Sequence, residues 1–175
     1  MSRYIALLRG INVGGHKKIL MADLRSLLSS GGLANVTTYI QSGNVLFESA
    51  LKASQSSDVI SKKIQKKYGW EVPVLVKTAS EITQILEACP FSEEIKLKSY
   101  FILFDRNASE ENIKEINLED YPNEEIFIST NCAYIFCESG YHNAKCGTNY
   151  FEKKLHIKAT ARNYRTMAKL VEMAT

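Results

Sequence analysis

A chain of 175 residues, 45% hydrophobic and 23% charged, is long enough for one full-size domain or two small fused ones, and its composition excludes a low-complexity or disordered protein. Arg3 and Arg9 bracket only five residues, too few for the apolar core of an export signal, and no apolar run approaches the roughly 18 residues of a membrane span. The net charge of +3 hides an asymmetry: residues 1–79 carry +7, residues 80–140 carry −9 and residues 141–175 carry +5.

A basic head and tail around an acidic middle point to one positive face built from both termini. Solvated helix faces are the competing explanation, and the better one for Lys62, Lys63, Lys66 and Lys67. Without an export signal, the cysteines at 89, 132, 137 and 146 are expected as reduced thiols, which places the protein in the cytoplasm.

Tyr4 to Arg9 is a short apolar run punctuated by glycine and reads as a buried strand. Met21, Leu24, Leu27 and Leu28 fall at helical spacing, and Gly31-Gly32 supply the stop. Val36–Gln41 and Asn44–Glu48 are β-rich runs joined at Ser42-Gly43, a hairpin signal. Residues 55–68 form an amphipathic helix. Val72–Lys77 is a strand whose Pro73 argues for a sheet edge.

A connecting helix at 80–88 leads to a second round. Ser99–Asp105 reads as a strand and Ser109–Leu118 as a helix, followed by paired strands at Glu125–Ser129 and Ala133–Cys137. A helix at Asn149–Leu155, a short strand at Ile157–Thr160 and a terminal helix at Asn163–Ala174 complete the chain. Each round runs β-α-β-β-α-β, and the two echo each other in sequence, Tyr4-Ile-Ala-Leu-Leu against Tyr100-Phe-Ile-Leu-Phe. The expected fold is α+β: two ferredoxin-like subdomains, packed or intertwined, at 1–78 and 79–175, with an extra C-terminal helix in the second. A single larger α+β domain is the alternative.

In such a unit the first two strands are expected to form a parallel pair, which brings the end of strand one and the hairpin tip to the same end of the sheet. Arg9-Gly10 and the Asn12-Val-Gly-Gly15 turn then lie beside Ser42-Gly43-Asn44. Arginine is a rigid fork of donors, and glycines let backbone N–H groups converge on an anion. His16, Lys17 and Lys18 add positive charge. The pattern matches neither a P-loop nor the Gly-x-Gly-x-x-Gly fingerprint, and a structural turn whose polar residues cap backbone is the competing reading.

Thr160-Ala-Arg-Asn-Tyr-Arg-Thr166 is a second anion candidate at the start of the last helix, with simple capping by Thr160 or Asn163 against it. Cys132, Cys137, His142 and Cys146 lack paired metal-ligand spacing, and His16, His142 and His156 form no recognisable triad, so neither a catalytic nor a metal set is assigned. One aromatic in Gly43–Glu48 argues against base stacking in the manner of RNA-recognition modules.

Leu7-Leu-Arg-Gly-Ile-Asn-Val-Gly-Gly15, Thr38-Tyr-Ile-Gln-Ser-Gly-Asn-Val45 and Thr160-Ala-Arg-Asn163 with Thr166 resemble the uncharacterised bacterial family called domain of unknown function 1697. The resemblance implies two intertwined ferredoxin-like subdomains in a small cytoplasmic protein, with no established activity. Its signature residues fall here on Arg9, Gly10, Asn12, Gly14, Gly15, Gln41, Ser42, Gly43, Asn44, Arg162, Asn163 and Thr166. Tyr164 stands where the family has tryptophan, and Ala161 where it often has a small hydroxyl.

The expectation for function is a binding module for a phosphate-bearing or other anionic ligand, a nucleotide or nucleic-acid backbone, with no cofactor and no membrane partner. Arg9, Asn12, Gly14, Gly15, Lys17, Ser42 and Asn44 form its site, with Arg162, Asn163 and Thr166 as its complement. An enzyme using the same clamp with His16 as acid–base is one alternative. The other is a protein adaptor docking through the acidic Glu110, Glu111 and Glu115.

Overall fold

Tyr4 to Leu8 are buried on both faces of strand β1 (Ser2–Leu8), and a strand of that kind needs ladder partners along both of its edges. In the computed structural model, which describes Met1–Thr175, β1 finds them in β3 (Asn44–Ser49) and β4 (Val74–Lys77), both antiparallel to it. With β2 (Ala34–Tyr39) outside β3, the first sheet has the order β2-β3-β1-β4. The structure is mixed α+β, with two four-stranded sheets and seven α-helices. It divides into two compact units, Met1–Thr83 with Lys169–Thr175, and Gln84–Ala168.

The expected direct pairing of β1 with β2 is corrected: β3 lies between them, bonded to both. The reason is burial. Asn44 to Phe47 are all buried, whereas β2 alternates half-buried with exposed positions, the pattern of a sheet edge. The expected consequence survives, because β1 and β2 still run the same way and Leu7 stands opposite Asn44. β4 forms the other edge, with Pro73 just before it.

Helices α1 (Met21–Ser29) and α2 (Ala53–Tyr68) cover one face of this sheet. Tyr4, Ala6, Leu8, Val45 and Phe47 pack there with Leu24, Leu28, Ile60 and Ile64. Ser57 and Ser61 donate from α2 to the carbonyls of Val74 (2.5 Å) and Val72 (3.1 Å), fixing the helix to the edge strand. Gly69 ends α2 in the left-handed conformation, φ 75°.

The second unit repeats the order. β5 (Tyr100–Phe104), α5 (Glu110–Lys114), β6 (Glu124–Ile128), β7 (Cys132–Cys137), α6 (Thr148–Leu155) and β8 (Ala159–Asn163) give a sheet β6-β7-β5-β8. Its core is Ile102, Phe104, Ala133, Ile135, Phe151, Leu155 and neighbours. Gln84–Glu87, the end of helix α3 (Ala79–Glu87), belong to this unit, and α7 (Tyr164–Ala174) has its last residues in the first unit, where Arg3 Nη2 donates to Met173 O at 2.8 Å.

Three sequence expectations shift here. The last strand runs to Asn163 rather than Thr160, because β5 needs a partner on its open edge and Thr160–Asn163 pair with Tyr100–Leu103. The helix expected over 109–118 stops at Lys114, and Asn117 accepts from Glu119 N–H to start a separate 3₁₀ turn, Leu118–Asp120. Helix α4 (Glu93–Lys98), capped by Ser92, had no counterpart in the sequence reading, since six residues with one apolar pair give no period to detect.

Two packing features generate tests. A Cβ at Gly43 (φ +81°) would stand 2.7 Å from Leu8 Cβ, whereas one at Gly69 meets nothing within 4 Å. Gly43→Ala is therefore expected to cost about 3 kcal/mol, and Gly69→Ala about 1 kcal/mol, in urea unfolding. The Ser56 hydroxyl is buried in α2 without a hydrogen-bond partner. Ser56→Ala is expected to stabilise the protein by about 1 kcal/mol in the same experiment.

Candidate functional site

Where β1 ends, the chain makes a run of left-handed residues that only a few side chains tolerate. Gly10, Asn12, Gly14, Gly15 and Lys17 have φ of 74°, 55°, 57°, 78° and 46°. Val13 to His16 is a tight turn closed by His16 N–H to Val13 O at 3.0 Å, with the two glycines at its centre, the φ signature of a type I′ turn. Outside it, Asn12 N–H donates to Lys17 O at 3.2 Å.

Asn12 fastens this loop to its surroundings. Its Nδ2 donates to Ile19 O (3.0 Å) and Gln41 O (2.8 Å), and its Oδ1 accepts from Ile19 N–H (2.9 Å). Asparagine suits the post twice over, since it accepts a positive φ and supplies both donors and an acceptor. Asn44, fully buried, does the same for the hairpin, with Nδ2 on Tyr39 O (3.1 Å) and on Ser42 Oγ (2.9 Å). Leu8 N–H reaches Gly43 O at 2.8 Å, and Arg9 N–H reaches Pro73 O at 3.0 Å. Lys17 Nζ donates to Glu71 O at 2.7 Å.

Arg9, Asn12, Gly14, Gly15, Lys17, Ser42 and Asn44 are thus gathered at one end of the first sheet. Asn12 and Asn44 build the loops with their amides. Arg9 and Lys17 are half-buried, and Gly14, Gly15, His16 and Lys18 are exposed. A Cβ built on Gly10 or Gly15 meets nothing within 4 Å, so the space above those peptides is open.

Arg162, Asn163 and Thr166 belong to the second unit. Asn163 Oδ1 accepts from Thr166 N–H at 2.9 Å and so caps α7, and Arg162 sits in β8 opposite Phe101 with Nη1 on Ala161 O at 2.8 Å. Arg162 is only 8% exposed, and burial pulls its guanidinium down to about 10, still protonated at neutral pH.

The second unit also offers an internal control. Phe104 N–H bonds Asn131 O (3.0 Å) and Asp105 N–H bonds Lys158 O (2.9 Å), repeating the bonds of Leu8 to Gly43 and Arg9 to Pro73. The position equivalent to Arg9 is therefore Asp105, whose Oδ1 accepts from Lys158 N–H at 2.9 Å. The glycine run has no counterpart in Arg106-Asn107-Ala108. The frame is repeated and the chemistry is not.

Sequence reasoning overlooked three residues at this end: Val13, Leu20 and Ile40, which are 63%, 68% and 49% exposed. Ile40 also has φ +48°, rare for a β-branched residue. No sequence signal marks that angle.

A family model described as "Protein of unknown function (DUF1697)" matches residues 1–134, which span the whole of this site. Among solved structures, the conserved bacterial protein SP0830 from Streptococcus pneumoniae is similar, with 25% identity, a TM-score of 0.74, and coverage of 99% of this chain and 98% of that one. No curated protein matches.

Asn12→Asp keeps the acceptor for Ile19 N–H but loses both donors. It is expected to cost about 2 kcal/mol, with hydrogen exchange accelerated around Gln41 more than at Ile19.

Proposed function

We propose, for a chain that belongs to the DUF1697 family, that the glycine-rich end of the first sheet binds a phosphate-bearing or other anionic ligand, a nucleotide or a nucleic-acid backbone. Arg9 clamps the anion, Lys17 adds charge from the side, Ser42 orients it, and the Gly14-Gly15 peptides offer N–H donors. Asn12 and Asn44 hold these groups in place. The observation that carries the reading is the open, left-handed run Gly10–Lys17 directly after an arginine. Its absence from the equivalent corner of the second unit, where Asp105 replaces Arg9, supports a role beyond closing a turn.

In this reading each sheet with its helices is a ferredoxin-like unit; the repeated element order and strand order support it. Arg162, Asn163 and Thr166 serve as a structural corner of the second unit, with Asn163 as helix cap. Four free thiols fit a cytoplasmic setting.

A thermal-shift screen against nucleotides, phosphosugars, carboxylates and short RNA or DNA tests the site. A ligand at about a hundred times its Kd stabilises by roughly 2.7 kcal/mol, a Tm rise of about 5–10 °C. The rise is expected to vanish in Arg9→Ala, in a variant that still unfolds in a single cooperative transition. Equal affinity in that variant overturns the assignment.

A further inference from the structure

Val13, Leu20 and Ile40 stand out because nothing in the fold explains them. Each sits within one residue of a group at the Asn12 junction: Val13 follows Asn12, Leu20 follows Ile19, and Ile40 precedes Gln41. Three exposed aliphatic side chains are therefore presented at one end of the first unit. Ile40 is held in a backbone conformation that asparagine or glycine would occupy at lower cost, and the residue is exposed. Folding stability alone selects against isoleucine there.

Cations surround these residues. Arg9, Lys17 and Lys18 flank the turn, and the Lys17 bond to Glu71 O draws in the segment after α2, which ends in Lys66 and Lys67. Acidic side chains near this end include Asp23 in the first turn of α1, Glu71, and Glu172, which is paired with Lys169 at 2.6 Å. The charge is net positive, and the apolar residues lie among it rather than apart from it.

We infer that this end of the first unit docks on an anionic bilayer surface, with Val13, Leu20 and Ile40 entering the headgroup region and the surrounding lysines and Arg9 meeting lipid phosphates. The inference rests on the anion reading of the same corner and names its source of phosphate. Aliphatic side chains on turns, ringed by Lys and Arg, match the chemistry of an interfacial lipid contact, in which apolar burial and attraction to anionic lipid act together. Single-stranded nucleic acid calls instead for open aromatic faces. Here Tyr68 and Trp70 stack on each other (centroids 5.1 Å apart, planes 12° apart) and Lys67 lies over Tyr68. The lack of a membrane-spanning helix bears on crossing a bilayer, not on resting against one.

The test is flotation with phosphatidylcholine vesicles and with vesicles doped with phosphatidylglycerol, beside a single-stranded RNA oligonucleotide and soluble phosphate compounds. Wild-type protein is expected to float with the doped vesicles, to ignore the neutral ones, and to be released by salt. A Val13→Ser, Ile40→Asn double variant is expected to lose about tenfold in partitioning. Asparagine suits φ +48°, so the variant should melt no lower than wild type, which excludes misfolding as the cause.

No flotation with doped vesicles, or equal flotation of the double variant, overturns the inference. So does RNA binding that requires Ile40 in the absence of vesicle binding. Stabilisation by soluble phosphates without vesicle binding also overturns it while leaving the anion site standing. Vesicle binding that needs Ile40 but survives Arg9→Ala supports the apolar docking surface, removes Arg9 from the lipid contact and overturns the anion site.

Discussion

The first unit turns on one close approach, that of the β2–β3 hairpin to the end of β1. Gly43 carries no side chain because Leu8 Cβ and Ile11 Cδ1 would lie 2.7 and 2.9 Å from its Cβ. That contact lets Leu8 N–H reach Gly43 O, sets the register of Leu7 against Asn44, and buries Asn44 where its amide holds the turn. Ile11, pressed against Gly43, joins the core with Ile19 and so pulls the glycine loop inward at both ends. The exposed middle of the loop is then free to be conformationally unusual, since its two ends are fixed by packing.

Of the five left-handed residues within eight positions, Asn12 and Lys17 carry a cost in backbone strain and the three glycines a cost in chain entropy that a plain connection between a strand and a helix does not require. The comparison within the molecule makes this concrete. The second unit closes the same corner with the same pair of backbone bonds and without glycines, placing Asp105 at the position of Arg9 and the next residue, Arg106, on the carbonyl of His156. Closing this corner of the sheet does not by itself require the Gly14-Gly15 turn. The two units share strand order while differing in charge at the equivalent strand end, Arg9 against Asp105. One copy of the frame carries a glycine-rich loop after its first strand, and in the other Asp105 is tied to the backbone N–H of Lys158.

The strands were legible because burial on a sheet leaves a compositional mark: Tyr4–Leu8, Asn44–Phe47, Tyr100–Phe104 and Cys132–Cys137 are apolar runs bounded by turn residues. Short elements were harder. The six residues of α4 complete fewer than two turns, and Thr160–Asn163 read as a helix approach because its polar side chains mask a strand chosen by its neighbour β5. At the candidate site, residue types pointed to a corner whose residues the first sheet does gather, yet not to the division of labour. Asn12 and Asn44 look like ligand donors in sequence, and their amides serve carbonyls and a serine hydroxyl.

Sequence by itself determined the order of the strands and of the longer helices, the glycine-rich break after β1 and the concentration of positive charge around it, because these follow from local composition and period. Only the tertiary structure decided which strands are neighbours, that Arg162 is buried while Val13, Leu20 and Ile40 are not, and that Ile40 adopts φ +48°. Strand neighbours depend on contacts between residues far apart in the chain. Burial and backbone angle at a single position are set by everything packed around it, and no local pattern records them.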